Sequence, residues 1–136
     1  MEKWFWMVII AIVLWGLGSF FGKLATIKDI PSRVYFFEAM GTLATFTCFM
    51  LWKRHEIFHD FSINVYGLLM GISWGVGTVL FIVALKPAKL SVLVPLTAVY
   101  PIVTVVLSYI FLHERLETRE MIGVILAIVS AVLLAR

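Results

Sequence analysis

The sequence predicts an all-α integral membrane protein, a bundle of five transmembrane helices. Three observations predict it. Of the 136 residues, 62% are hydrophobic and only 14% are charged, whereas an ordinary soluble domain is about half apolar and about a quarter charged. Mean hydropathy is +1.05, and a chain this short buries too small a fraction of its surface to hide that excess in a core of its own. The apolar residues also fall in five continuous runs, each close to the ~20 residues a helix needs to cross the hydrocarbon core. A β-barrel would instead alternate apolar and polar residues over segments of ~10.

The runs cover about residues 4–24, 32–52, 64–85, 90–112 and 119–135. Only short connections separate them, so residues 1–136 are expected to form one transmembrane domain with no soluble domain beside it. The first run is too long for a signal peptide and no A-x-A-like site follows it, so it is expected to remain as a span. Cys48 is the single cysteine and lies in the second run, which leaves no intrachain disulfide. The formal net charge of +3 is scattered through the connections and forms no basic face, so nucleic acid is not an expected partner. The lipid bilayer is.

The first run contains Trp15-Gly16-Leu17-Gly18, and the third contains Trp74-Gly75-Val76-Gly77, 59 residues on. Tryptophan usually gathers at membrane interfaces, yet both of these fall mid-span. Two readings stand: they line a cavity, or they fill a gap in the core. Gly18 and Gly22 are four apart, as are Gly67, Gly71 and Gly75. That spacing lets helix backbones approach closely in lipid, so packing is the expected role.

In the second run Glu38 lies about six residues, or ~9 Å, inside the helix start. An ionisable residue at that depth is costly and by default a functional candidate. Its helical face continues through Gly41, Thr42 and Thr45. Lys23 ends the first run on the same side of the membrane and is the expected partner of Glu38. The alternatives are a fixed ion pair that closes the hairpin, with Lys23 snorkelling to the interface, and a carboxyl that carries a proton or contacts a cation.

The fourth run holds Pro95 and Pro101, each of which removes a helix hydrogen bond. Such breaks are tolerated in membranes where neighbours, hydroxyls or water take up the freed carbonyls. Thr97, Pro101, Thr104 and Ser108 recur at spacings of 4, 3 and 4, which puts them on one face with Tyr100 beside them. A broken helix with a hydroxyl stripe points to a transporter binding site; back-bonding of Ser and Thr within a kinked helix is the competing account. In the fifth run Gly123, Ala127 and Ala131 form a small-residue seam suited to packing, between subunits among other places. Arg115, Glu117, Arg119 and Glu120, in or beside the preceding connection, read as solvated.

His55-Glu56-Ile57-Phe58-His59 matches the H-E-x-x-H zinc signature. It follows Lys53-Arg54 and is expected to lie in a loop. His113 or Glu114 is available on the same side as a third ligand, but no separate domain exists to build a catalytic cleft. Solvated loop residues are the preferred reading, with no metal, no cofactor and no enzymatic activity expected. P-loop, G-x-G-x-x-G, G-x-S-x-G and CxxC patterns are absent from the sequence.

An odd number of spans puts the termini on opposite sides. The N-terminal side carries Lys3, Lys53, Arg54, Arg115 and Arg119, which is five, and the other carries Lys23, Lys28, Arg33, Lys86, Lys89 and Arg136, which is six. The Lys/Arg bias that fixes orientation is close to nil. Insertion both ways up, followed by antiparallel pairing, is one consequence; orientation fixed by the single charge or by the first helix is the other.

The stretch 84–101, Ala-Leu-Lys-Pro-Ala-Lys-Leu-Ser-Val-Leu-Val-Pro-Leu-Thr-Ala-Val-Tyr-Pro, resembles the drug/metabolite transporter superfamily in its EamA-type domain. So do Leu112-His113-Glu114-Arg115-Leu116 with the Gly123 helix, and the opening helix from Trp15-Gly16 to Gly22-Lys23-Leu24-Ala25. Most members carry two five-helix units; this chain looks like the short five-span bacterial and archaeal members. The resemblance implies one half of an inverted-repeat transporter in the cytoplasmic membrane of a prokaryote, working as a homodimer by alternating access on a small organic metabolite or drug. Many longer members carry a basic residue early in the second span, where this chain has Glu38. The related small multidrug resistance proteins couple protons through an acid in the first span, and this chain has none there. A non-transporting accessory subunit and a flippase for a lipid-linked substrate are the rival functions.

Overall fold

A computed structural model describes residues 3–59 and 62–134. Every regular element among them is helical: α1 (Lys3–Lys28), α2 (Pro31–Phe58), α3 (Val65–Leu85), α4 (Leu90–Thr97), α5 (Tyr100–Leu107), a π-helical turn (Ser108–Leu112) and α6 (Thr118–Leu134). Among the described residues, Trp4–Lys28, Pro31–Phe58, Val65–Leu85 and Leu90–Leu112 are long and apolar enough to cross a membrane. The fifth expected span is the helix α6, of which 17 residues are described. The chain is a multi-pass membrane protein, all-helical in its regular elements among the described residues. Two compact units divide it, Met1–Pro87 and Ala88–Arg136.

In the first unit α1, α2 and α3 all touch one another. Expected and observed bounds agree for α3, which starts after an Asn64 cap whose side chain accepts the Gly67 N–H at 2.9 Å. α1 runs four residues past its expected end, to Lys28. It stops at Asp29, whose N–H still donates to the Ala25 carbonyl. Asp29 then holds the turn into α2: its carboxylate accepts the Ile30 N–H at 2.7 Å and pairs with Arg33 at 2.9 Å. Pro31, with no N–H to lose, opens α2.

α2 corrects one expectation. The apolar span was placed at 32–52, and at Lys53 the backbone bends (φ −106°, ψ 18°) without ending, so the helix continues to Phe58. His55 and Glu56 are therefore helical, with His59 as the C-cap, and the H-E-x-x-H segment is not a loop. Hydropathy marked where the lipid-compatible part stops; the backbone ladder carries on beyond it.

The residues that are buried in this unit cluster at one end. Thr26 (0% exposed), Leu85 (1%), Ile82 (4%) and Val34 (8%) sit at the C-terminal ends of α1 and α3 and the start of α2. The large apolar side chains along the helices are exposed, as a surface solvated by lipid allows.

In the second unit α4 packs on α6, and α5 leads into the π turn. The span expected at 90–112 is interrupted, but not at each proline. Pro95 lies inside a continuous α4, and the first break comes at Ala98–Val99, just before Pro101. The second departure is the π turn at Ser108, well past both prolines. His113 ends that turn in the left-handed region (φ 54°), with its N–H on the Ser108 carbonyl. Left-handed backbone is uncommon for non-glycine residues, and Glu114 supports it by accepting a hydrogen bond from Ser108 Oγ. At the start of α6, Glu120 is not merely solvated: its carboxylate accepts the Glu117 N–H at 2.8 Å, capping the helix where a negative charge suits the dipole.

Candidate functional site

α1 and α3 run parallel, because Trp15 meets Trp74 while residues 23–29 meet Leu85 and Lys86 further along both helices. The two tryptophan rings lie 5.9 Å apart, tilted by 42°, inside the range of favourable aromatic contact. So the repeated Trp-Gly-x-Gly segments face each other. The two residues are 56% and 55% exposed, so the pair lies on an open face of the described chain. The echo extends one residue beyond the motif. Ser19 Oγ donates to the Trp15 carbonyl and Thr78 Oγ1 to the Trp74 carbonyl, each at 2.9 Å. These two hydroxyls were missed in the sequence, though they sit at the same offset from their tryptophans.

Below that pair the two helix ends clasp. Lys23 Nζ donates to the Leu85 carbonyl at 2.6 Å and to that of Lys86 at 3.5 Å. Lys86 Nζ returns the interaction, donating to the Thr26 carbonyl at 2.6 Å and to that of Asp29 at 2.8 Å. The last carbonyls of a helix have no partner of their own and carry partial negative charge, so each lysine satisfies the end of the other helix. Thr26 carries no motif that would have flagged it, and Lys86 stood out only as part of the 84–101 stretch, with no sign of its partner.

Lys23 was expected beside Glu38. The structure gives each a different contact: Lys23 serves α3, and the Glu38 carboxylate accepts Thr42 Oγ1 at 3.0 Å, one turn along α2. Thr45 Oγ1 in turn donates to the Thr42 carbonyl at 2.8 Å. Glu38, Thr42 and Thr45 share an exposed face of α2, as the helical spacing indicated.

Of the glycines expected to pack, Gly22 does so within the described chain: a Cβ there would stand 3.2 Å from Leu85 Cδ1. Among the described residues, a Cβ at Gly18, Gly71, Gly75 or Gly123 would meet nothing within 4 Å. Ala127 is exposed, and the side chain of Ala131 lies outside the described residues. Gly18, Gly71, Gly75 and Gly123 therefore make no close helix contact among the described residues.

In the second unit Thr97, Tyr100, Pro101 and Thr104 are exposed and Ser108 is half-buried. Thr97 and Tyr100 flank the break, Pro101 follows Tyr100, and Thr104 lies one helical turn beyond. Thr97 Oγ1 back-bonds to the Val94 carbonyl at 2.8 Å, so this hydroxyl takes part in the helix as well as standing beside its interruption. Pro101 has no N–H to offer the Thr97 carbonyl, which is the acceptor a helix would otherwise have used.

The H-E-x-x-H segment places its two imidazoles together on α2, rings 5.9 Å apart. Glu56, which a zinc hydrolase would use as base, instead pairs with Lys53 at 2.5 Å. Among the described residues no group of three or more His, Cys, Asp or Glu gathers as ligands.

The comparisons agree with this architecture. An uncharacterized protein of the archaeon Methanocaldococcus jannaschii is 30% identical over 127 residues, covering 93% of this chain and 92% of its own length. No solved structure matches the chain. The family match spans residues 2–136, and the chain belongs to the EamA-like transporter family.

Proposed function

We propose that this protein moves a small organic metabolite or drug across the cytoplasmic membrane of a prokaryote by alternating access, as an antiparallel homodimer whose two copies supply the inverted halves of the transporter. The observation that carries this reading is the interruption of the fourth span at Ala98–Val99, with Thr97, Tyr100, Pro101 and Thr104 exposed around it. Irregular backbone at membrane depth is tolerated where it lines a cavity or is covered by protein, and broken helices of this kind build transporter sites near the bilayer midplane. Glu38, Trp15 and Trp74 are the further lining residues in this proposal. The near balance of Lys and Arg on the two sides supports insertion in both orientations.

Two experiments test it. Paired C-terminal fusions, one to a reporter active only inside the cell and one active only outside, should both give signal. Signal from one alone excludes self-pairing as an inverted repeat and directs the search to an oppositely oriented partner. Proteoliposomes should then be screened for uptake of labelled amino acids, sugars, nucleosides and quaternary ammonium compounds. Replacement of both Thr97 and Thr104 by valine should abolish any uptake found, and unchanged uptake would remove that face from the site.

A further inference from the structure

Transport leaves the segment His55–His59 unexplained. Three features there point to a ligand. The i, i+4 register is realised in the backbone, with the His59 N–H donating to the His55 carbonyl at 3.1 Å. The two rings stack, centroids 5.9 Å apart and planes within 29°. Both residues are exposed, at the water-facing end of α2. Metal–imidazole bonds of about 2.0–2.1 Å put two rings that share one cation at centroid separations of roughly 5–6 Å, which is the spacing already present. The acid between them faces elsewhere, because Lys53 holds the Glu56 carboxylate while standing 5.2 Å from the Trp52 ring.

We propose that His55 and His59 form a two-imidazole site for a late first-row divalent cation, with water completing the coordination. Imidazole suits Cu²⁺, Ni²⁺ and Zn²⁺, and affinity rises towards Cu²⁺ in that series. With Glu56 engaged by Lys53, the site binds metal without the general base that a hydrolase needs. It sits beyond the Lys53 bend, outside the apolar part of α2, where it adds a metal-dependent element to the connection between the second and third spans.

The test uses the full chain in lipid nanodiscs, with any affinity tag removed, titrated with Cu²⁺ and followed by visible absorbance and electron paramagnetic resonance. One saturable Cu²⁺ per chain with two nitrogen donors is expected. His55→Gln and His59→Gln should each weaken binding by about 10²-fold, the gain that a linked second ligand confers. Glu56→Gln and His113→Gln should bind as the unaltered chain does. Non-saturable binding, binding untouched by His59→Gln, or equal loss on Glu56→Gln or His113→Gln would each overturn the proposal. Because the histidines are exposed at a helix end, size-exclusion profile and helical circular dichroism of each variant should match the parent, so loss of metal reads as loss of the site.

Discussion

Lys23 and Lys86 each cap the helix that the other belongs to. Lys23 reaches the Leu85 carbonyl and Lys86 the Thr26 carbonyl, both at 2.6 Å, around a Thr26 that is fully buried. This reciprocal arrangement fixes α1 and α3 in parallel at the one end of the first unit where side chains are buried. A hydrogen bond from a charged donor contributes about 1.5–3 kcal/mol. Lys23→Met and Lys86→Met should each lower stability in detergent by about that amount, measured as a shift in denaturant midpoint. A double variant no worse than either single would show that the two bonds act as one unit. Strict additivity would mean that the clasp is two independent caps.

The glycines divide into two groups with opposite expected outcomes. Gly22→Ala forces a Cβ to 3.2 Å from Leu85 Cδ1, and Leu85 is too enclosed to yield, so the variant should be destabilised by about 1–3 kcal/mol. Gly18→Ala meets nothing among the described residues and should stabilise α1 by up to about 1 kcal/mol through helix propensity. If Gly18→Ala instead lowers the dimer fraction in crosslinking, that face is a subunit contact.

The Trp15–Trp74 pair is open to a double-mutant cycle. Leucine at either position, and at both, should reveal a coupling of about 0.5–1.5 kcal/mol. Zero coupling would mean that the rings adjoin without stabilising the bundle, leaving the lining role as their reason for being mid-span.

Glu38 bears on the coupling ion. Its carboxylate touches Thr42 on an exposed face of α2. If it carries a proton, Glu38→Gln abolishes uptake driven by a pH gradient in proteoliposomes while the protein still folds. Undiminished uptake takes Glu38 out of the mechanism.

Asp29, in the connection between α1 and α2, gives a pH dependence with a definite sign. The Ile30 N–H, and after it the Arg33 guanidinium, hold its carboxyl below the ordinary value of 3.8, against an opposing effect of desolvation. A carboxyl depressed in the folded state stabilises fully above its unfolded value and loses that contribution as pH falls through the folded one. The effect is small, since the half-buried side chain stays partly open to water. Asp29→Asn should therefore lower the melting temperature slightly at neutral pH, where the charge contributes, converge with the parent below about pH 4, and so show a flatter acid limb. A variant with the same acid limb as the parent would show that the turn does not depend on this charge.

Hydropathy and spacing determined the apolar helices, the bounds of the third and fourth, and the broken character of the fourth, while the family was legible in the residues of 84–101 and 112–116. These are sums over neighbouring residues, and a lipid solvent makes such sums decisive because every backbone group must be satisfied within its own helix. Local reading also put Glu38, Thr42 and Thr45 on one face and aligned the two Trp-Gly-x-Gly segments in kind. It did not determine which of these residues meet. That Trp15 touches Trp74, that Lys23 serves Leu85, and that Gly22 packs where Gly18 does not depend on partners about sixty residues away in the chain, chosen by how the helices lie together. The H-E-x-x-H segment shows the same limit within one element. Loss of apolar character after Trp52 reads as the end of a span, yet the i, i+4 hydrogen bonds continue through the bend at Lys53, and only the folded backbone decides that two histidines end up side by side.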